Sequence, residues 1–381
     1  MVNIEFRHYQ EGDDEQLADL FNRAFQTLGG GQVKTPKQTN WRYAQSPNFE
    51  PEMIQIAEDT DIKKIVGAIY VNMVEYIPLN GKKYLTGDIN DVSTHPDYTG
   101  QGISKNLMKM AIEYMEKRGC DISMLTADYR GFPRKKIYLK VGYNDYDREL
   151  VFIKFANPLK FIRDFKGAAF LFPVLAFSAY IPRFLNRIRI KANPFFKNFS
   201  YEICHNRKHF VYTEAANRII SKYFTGYPGY DKEKTIWARV KNPIKRYEPI
   251  YILIRKNAKI IGGALLTSEN VYAFKYGIKL RVGFIHELFL EKSEFKNVRN
   301  LHFGYIFLID KVLKAANRKS IGLVFYQAPS MDYHLHNGFR GLNFMKFKGG
   351  IVMIKIMKDS IKLPKLNKPL YVPTYISFGA P

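Results

Sequence analysis

The chain repeats itself, and that repeat restricts what it can fold into more than any other feature. Its only two tryptophans, Trp41 and Trp237, open the similar segments WRYAQSP (41–47) and WARVKNP (237–243), 196 residues apart. The same offset relates Pro47 to Pro243, Gly67 in IVGAIY to Gly263 in IGGALL, and Asp91 in DVST to Glu287 in ELFL. It also relates Gly142 in KVGY to Gly338 in HNGF, each followed by an aromatic, Tyr143 and Phe339. Five ordered correspondences at one spacing point to a tandem duplication. With 381 residues the chain also exceeds one ordinary core. The expected organisation is a lobe at 1–156, a linker at 157–198, a second lobe at 199–358 and a tail at 359–381.

The first lobe alternates strand and helix signals. NIEFRHY, MIQIAED, KKIVGAIYVNMVEYI, LTGDINDVST, DISMLTAD and RELVFIKF read as strands, and GDDEQLADLFNRAF as a helix with acidic residues in its first turn. ISKNLMKMAIEYMEKR is the clearest helix: Ile103, Leu107, Ala111 and Met115 recur every four residues, and Gly119 stops it. PRKKIYLKV reads as a short helix opening with proline. The expected class is mixed α/β, in two lobes.

Composition narrows the partners. Cys120 and Cys204 are the only cysteines and sit in different halves, so neither a disulfide framework nor a CxxC metal site can be built, as in a reducing compartment. The first residues, MVNIEFRHYQEGDDEQ, lack the apolar core of a signal peptide, so a cytoplasmic protein is expected. A net charge of +24 favours an anionic partner, but it is spread along the chain without a helix-turn-helix or zinc-finger pattern, which argues against a dedicated nucleic-acid binder. The eight histidines show no HExxH or paired-ligand spacing, so no metal is expected.

Strand DINDVST runs through HPDYTGQGIS straight into the strong helix. Gly100 and Gly102 stand at the strand-to-helix turn, where glycine lets backbone N–H groups approach a pyrophosphate and the helix N-terminus adds partial positive charge. A plain tight turn would use the same glycines. THPDYTGQGISKNLM resembles the acyl-CoA-binding segment of GNAT acetyltransferases, usually HPDYRGKGIG before a leucine-containing helix, and IYLKVGY resembles their later LYEKLGF segment. The likeness spans most of residues 1–156 and is fainter in the second lobe, through ELFL, VLKAANRKSIGLVFY and HNGF.

The resemblance implies two GNAT-like lobes, with acetyl-CoA or another acyl-CoA held in the first by Val92, Thr94, Thr99, Gly100, Gln101, Gly102, Ile103, Ser104 and Lys105. It implies direct attack of an amine on the thioester, with main-chain groups near Val92 and Thr94 polarising the carbonyl. Tyr138, in IYLKVGY, falls where the family's tyrosine protonates the leaving thiolate, a task suited to a phenol of pKa about 10. Asp91 matches the acidic residue of the family's ELYV-type strand and Asp88 lies three residues earlier; strand alternation puts them on opposite faces, so one alone should face substrate. Asp128 is a further candidate base, and His95 reads as a turn residue. Thr99 and Ser104 depart from the family's Arg or Gln and Gly or Ala; Lys105 or the run Arg134-Lys135-Lys136 could restore charge, or could simply form a solvated face. In the second lobe Lys296 and Val298 replace the two glycines, so that lobe should not bind CoA and could instead shape the acceptor cleft.

The linker carries GAAFLFPVLAFSAYIP (167–182), uncharged and flanked by Lys160, Arg163, Lys166, Arg183, Arg187, Arg189 and Lys191. It is short for a membrane span, and Pro173 interrupts it. It reads either as core between the lobes or as a segment lying on an anionic membrane through 160–191, which would make the protein peripheral there. Three functions remain open: an N-acyltransferase acting on a small-molecule, sugar, lipid or protein amine; a non-catalytic GNAT-derived scaffold; and a transferase using aminoacyl-tRNA, against which the intact GQG turn argues.

Overall fold

The computed structural model describes residues 2–26, 33–205, 208–243, 249–273 and 277–371. It divides into two compact units, the first built from residues 1–149 with 349–367, the second from 150–348 with the described residues from 368 onward. Residues 372–381 of the tail lie outside the described residues. Where the sequence suggests lobe ends at 156 and 358, the chain divides at Glu149 and returns to the first unit at Gly349.

The first unit contains β1 (Ile4–His8), α1 (Asp14–Gln26), α2 (Pro36–Arg42), β2 (Ile54–Asp59), β3 (Lys64–Leu79), β4 (Lys82–Thr94), α3 (Ile103–Lys117), β5 (Ile122–Ala127) and the start of β6 (Asn144–Phe155). The strands lie in the order β1-β2-β3-β4-β5, antiparallel as far as β4, with β5 parallel to β4. A parallel neighbour needs a crossover, and α3 supplies it. One face of the sheet packs on α3, where Leu107, Met108, Ala111 and Met115 join Val66, Ile69, Ile89 and Leu125 in one core. On the other face Leu17 and Leu20 of α1 and Tyr43 pack on Ile56, Ala68 and Tyr70.

The second unit continues with α4 (Pro158–Asp164), α5 (Phe172–Ala192), β7 (Phe199–His205), α6 (His209–Tyr223), α7 (Lys232–Thr235), β8 (Ile250–Lys256), β9 (Lys259–Ala273), β10 (Ile278–Leu290), α8 (Val298–Arg318), β11 (Leu323–Pro329), α9 (Tyr333–Gly341) and the start of β12 (Met345–Ile356). Its strands β7-β8-β9-β10 are antiparallel neighbours, and β11 joins β10 in parallel through the crossover α8. The C-terminal part of β12 belongs to the first unit, where Ile351–Ile356 pair with Ala127–Ile122 of β5.

The segment expected as a linker is mostly helix. Pro173 does not break it: it occupies the first turn of α5, where a missing N–H costs nothing. Pro182 lies inside the helix and withholds the bond that the Ser178 carbonyl would accept; the buried Lys154 ammonium donates to that oxygen instead, at 2.8 Å.

Candidate functional site

The ladder between β4 and β5 covers four residue pairs, from Thr86–Ile122 to Ile89–Leu125. β4 continues for five more residues beside β3, reaching Thr94 opposite Gly67, while β5 continues beside β12. The two parallel strands therefore part after Ile89, and main-chain groups of β4 from Asn90 onward face the gap. A bulge accompanies the parting: Tyr70 pairs with Asn90 and Ala68 with Ser93, so β4 carries one extra residue. Asp91 holds the bulge with a φ of +46°, an uncommon conformation for a non-glycine residue.

From Thr94 the chain enters a short turn, Pro96–Tyr98, capped by His95, and then the bend 99–102. Gly100 and Gly102 have φ of +85° and +79°, and a Cβ on either would meet no atom within 4 Å. Open space, rather than packing, lies above them. Gly102 caps α3 without a side-chain bond. The Lys105 and Asn106 amides bond back to the Gly102 carbonyl at 3.0 and 3.2 Å, so the amides ahead of them form the first helical turn, which has no intrahelical acceptor. With Thr99, Gly100, Gln101 and Gly102 all exposed, this is an uncrowded anion cradle of the kind a diphosphate needs.

Neighbouring side chains fix the bend. Ile103 is core, and the Ser104 hydroxyl meets that of Thr94 at 2.7 Å, tying the first turn of α3 to the end of β4. Val92 packs at the edge of the α3 core. Thr99 donates its hydroxyl to the Pro96 carbonyl at 2.9 Å, so its side chain is spent within the turn. The His95 ring accepts from the Asp97 amide, and burial with the charge of Lys64 lowers its pKa: it is a cap. Asp128 is exposed and accepts from the Arg130 amide, also closing a turn. Of the basic candidates, Arg134 pairs with Asp145, whereas Lys105, Lys135 and Lys136 are exposed.

The structure separates the two aspartates by role rather than by face. Asn90 donates to Asp88 at 2.9 Å, and Asn90 pairs with Tyr70, whose ring stacks on Tyr43 at 3.9 Å; Tyr43 in turn donates to Asp91. Asp88 and Asp91 thus share one face, because the bulge absorbs a residue and cancels the alternation that predicts opposite faces. Asp91 is engaged by Lys34 and Tyr43; burial opposes its ionisation, but Lys34 and Arg42 outweigh that and hold the carboxyl below its usual range. A carboxylate so committed anchors the bulge and is a poor proton acceptor. Asp88 is buried without an ion pair among the described residues. Burial pushes its pKa up to about 7, the Asn90 hydrogen bond opposing and Glu75 adding to the rise. Tyr138 ends a π-helical turn, Arg134–Tyr138, and is buried in the core that contains Ile89, Leu125 and Ala127. Burial raises its phenol above the ordinary range, so it stays protonated at neutral pH.

Sequence reading missed the partners of the bulge, Lys34 and Tyr43, and for Tyr43 a signal was present. Tyr43 is the third residue of WRYAQSP, and the third residue of WARVKNP is Arg239. In the second unit β10 carries a bulge between Ile285 and Glu287, its parallel ladder with β11 also ends after four pairs, at Ile285–Tyr326, and Arg239 binds both Glu287 oxygens at 2.9 and 3.1 Å. Bulge carboxylate and anchor both obey the 196-residue offset. The bend differs: no glycine precedes α8, and the Asn297 side chain caps it by accepting from the Asn300 amide at 2.8 Å.

In this α/β unit, two parallel strands part at a bulge beside an open glycine turn. Residues 5–145 match the model of the acetyltransferase (GNAT) domain family, and this first part of the chain is a GNAT domain. Over nearly its whole length the chain has the fold of Saccharomyces cerevisiae N-myristoyltransferase. One crystal structure with bound myristoyl-CoA gives a TM-score of 0.68 at 13% identity, covering 93% of this chain and 78% of that one. A second gives 0.68 at 13%, covering 98% and 89%, and a third, with myristoyl-CoA and inhibitors, 0.66 at 14%, covering 99% and 86%. Comparison with curated protein sequences finds no match.

Proposed function

We propose that this protein is an N-acyltransferase that moves an acetyl or longer acyl group from acyl-CoA to an amine. The observation that carries the proposal is the open, glycine-lined N-terminus of α3 beside the point where β4 leaves β5. The donor thioester supplies an electrophilic carbonyl and a thiolate leaving group. Amides of residues 100–104 and the positive end of α3 would hold its diphosphate. Main-chain groups of β4 from Asn90 to Thr94, Val92 and Thr94 among them, would hydrogen-bond the pantetheine arm.

Acceptor amines arrive as ammonium ions and must lose a proton before attack. Asp88, with a pKa of about 7, is suited to take it near neutral pH, where a base of matched pKa works best. Tyr138 keeps its proton at that pH and is the candidate donor to the departing sulfur. Asp91, which matches the family's acidic motif position, is assigned to holding the bulge.

The test is release of free CoA thiol by purified protein given acetyl-, medium-chain or myristoyl-CoA and a panel of amines: small amines, amino sugars and peptides with free N-termini. Thiol release that requires an amine and is lost in Asp88→Asn supports the assignment. CoA binding without turnover on any member of the panel would favour a scaffold.

A further inference from the structure

Helix α5 is mounted inside out. Its side chains Val174, Phe177, Ile181, Phe184, Leu185 and Ile188 recur at three- and four-residue spacing, one stripe on a helix of 3.6 residues per turn, and are between 39 and 67% exposed. Its buried face carries the polar groups: Leu175, Ala179 and Ile190 share it with Arg183 and Asn186. Arg183 donates to Asp310 of α8 at 2.9 Å, Arg187 adds a second bond to that carboxylate at 3.0 Å, and Asn186 donates to the Gly341 carbonyl at 2.8 Å. Lys154 holds the Ser178 carbonyl from below. A core helix would bury the phenylalanines and turn the arginines outward. This one is pinned by its polar face, so its apolar stripe stays on the surface.

Charge identifies what the stripe meets. Arg189 and Lys191 flank it at the C-terminal end, exposed and without an ion pair among the described residues. With Arg187 and Lys197, Lys191 also lines a groove of about 600 Å³ between α5 and α8. An apolar stripe bordered by cations is complementary to a bilayer with anionic headgroups, where acyl chains accept the stripe and phosphates the cations. The stretch Ala169–Ala192 is apolar and long enough to cross a bilayer, but a helix fixed along one side to its own protein can only lie in the interface.

We infer that α5 docks this protein on an anionic membrane surface, lying flat with Phe177 and Phe184 inserted. The chemistry does not depend on the acyl-transfer proposal and can be tested apart from it. Full-length protein is sedimented with phosphatidylcholine vesicles, with and without phosphatidylglycerol, at low and raised salt. Binding is expected to require phosphatidylglycerol and to weaken with salt. Phe177→Gln with Phe184→Gln should lower partitioning at least roughly tenfold without changing the thermal midpoint, since both side chains are already in solvent. In a separate protein, Phe184→Trp should show an emission blue shift on the same vesicles. Protein left in the supernatant, or a Gln pair that sediments like the wild type, overturns the inference. So does a dimer in light scattering that the Gln pair dissolves while vesicles have no effect, because a second copy would then be what covers the stripe.

Discussion

The bends at residues 95–102 and 291–297 occupy the same place in their units and do opposite things. Each follows a bulged strand whose parallel ladder stops after four pairs, and each leads through a short turn into the crossover helix. Before α3, Gly100 and Gly102 take left-handed conformations under open space, and no side chain caps the helix. Before α8, Asn297 fills the position and satisfies an amide of the first turn with its own carbonyl oxygen. Topology places a helix N-terminus beside parted strands in both units. The capping residue decides whether the first-turn amides are left without a side-chain partner, as before α3, or one of them is already taken, as before α8.

The bulges themselves are built alike, and breaking their anchors should have the largest effect. Arg239→Ala leaves Glu287 buried with its cationic partner gone and should cost about 3–5 kcal/mol in denaturant unfolding. Lys34→Ala should cost less, because Tyr43 and Arg42 still face Asp91. Equal losses would mean the two bulges are not held as described.

Asp88→Asn should lower turnover by about 10²-fold or more and abolish the limb of the pH–rate profile that rises near pH 7. Its effect on stability has a definite sign. The folded pKa lies above the unfolded one, so ionising Asp88 costs stability as pH rises from about 4 to about 7. The asparagine variant should therefore gain on the wild type through that window and hold its advantage above it, as thermal midpoints across the pH range would record. A fixed difference at every pH would remove the raised pKa.

Tyr138→Phe should reduce turnover about tenfold or more while CoA affinity changes by less than about twofold. An unaltered rate would leave Tyr138 as packing. The smallest effect is expected for Asn297→Ala, about 1 kcal/mol of stability with no change in CoA affinity, separating the second cap from cofactor binding.

How much of this was legible follows from what each signal averages over. The GQG turn and the four-residue period of α3 are local, and both stand where the sequence puts them. The relation between Asp88 and Asp91 was misread because period-two alternation assumes an unbulged strand, and nothing in DINDVST marks the extra residue. RELVFIKF is one continuous strand, so no break in composition marks the division between Glu149 and Leu150. Pro173 made the segment read as interrupted, whereas it starts α5, and inside the helix a lysine distant in sequence compensates Pro182.

The central claim is that the amides of residues 100–104 are presented to a diphosphate while those of the second bend are not. Calorimetric titration of CoA into the wild type and Gly102→Val tests it most directly. A β-branched residue disfavours φ near +79° and crowds the cradle, so affinity should fall by about 10²-fold or more in a protein that remains folded. Unchanged affinity in the valine variant, or no binding by the wild type at millimolar CoA, would contradict it.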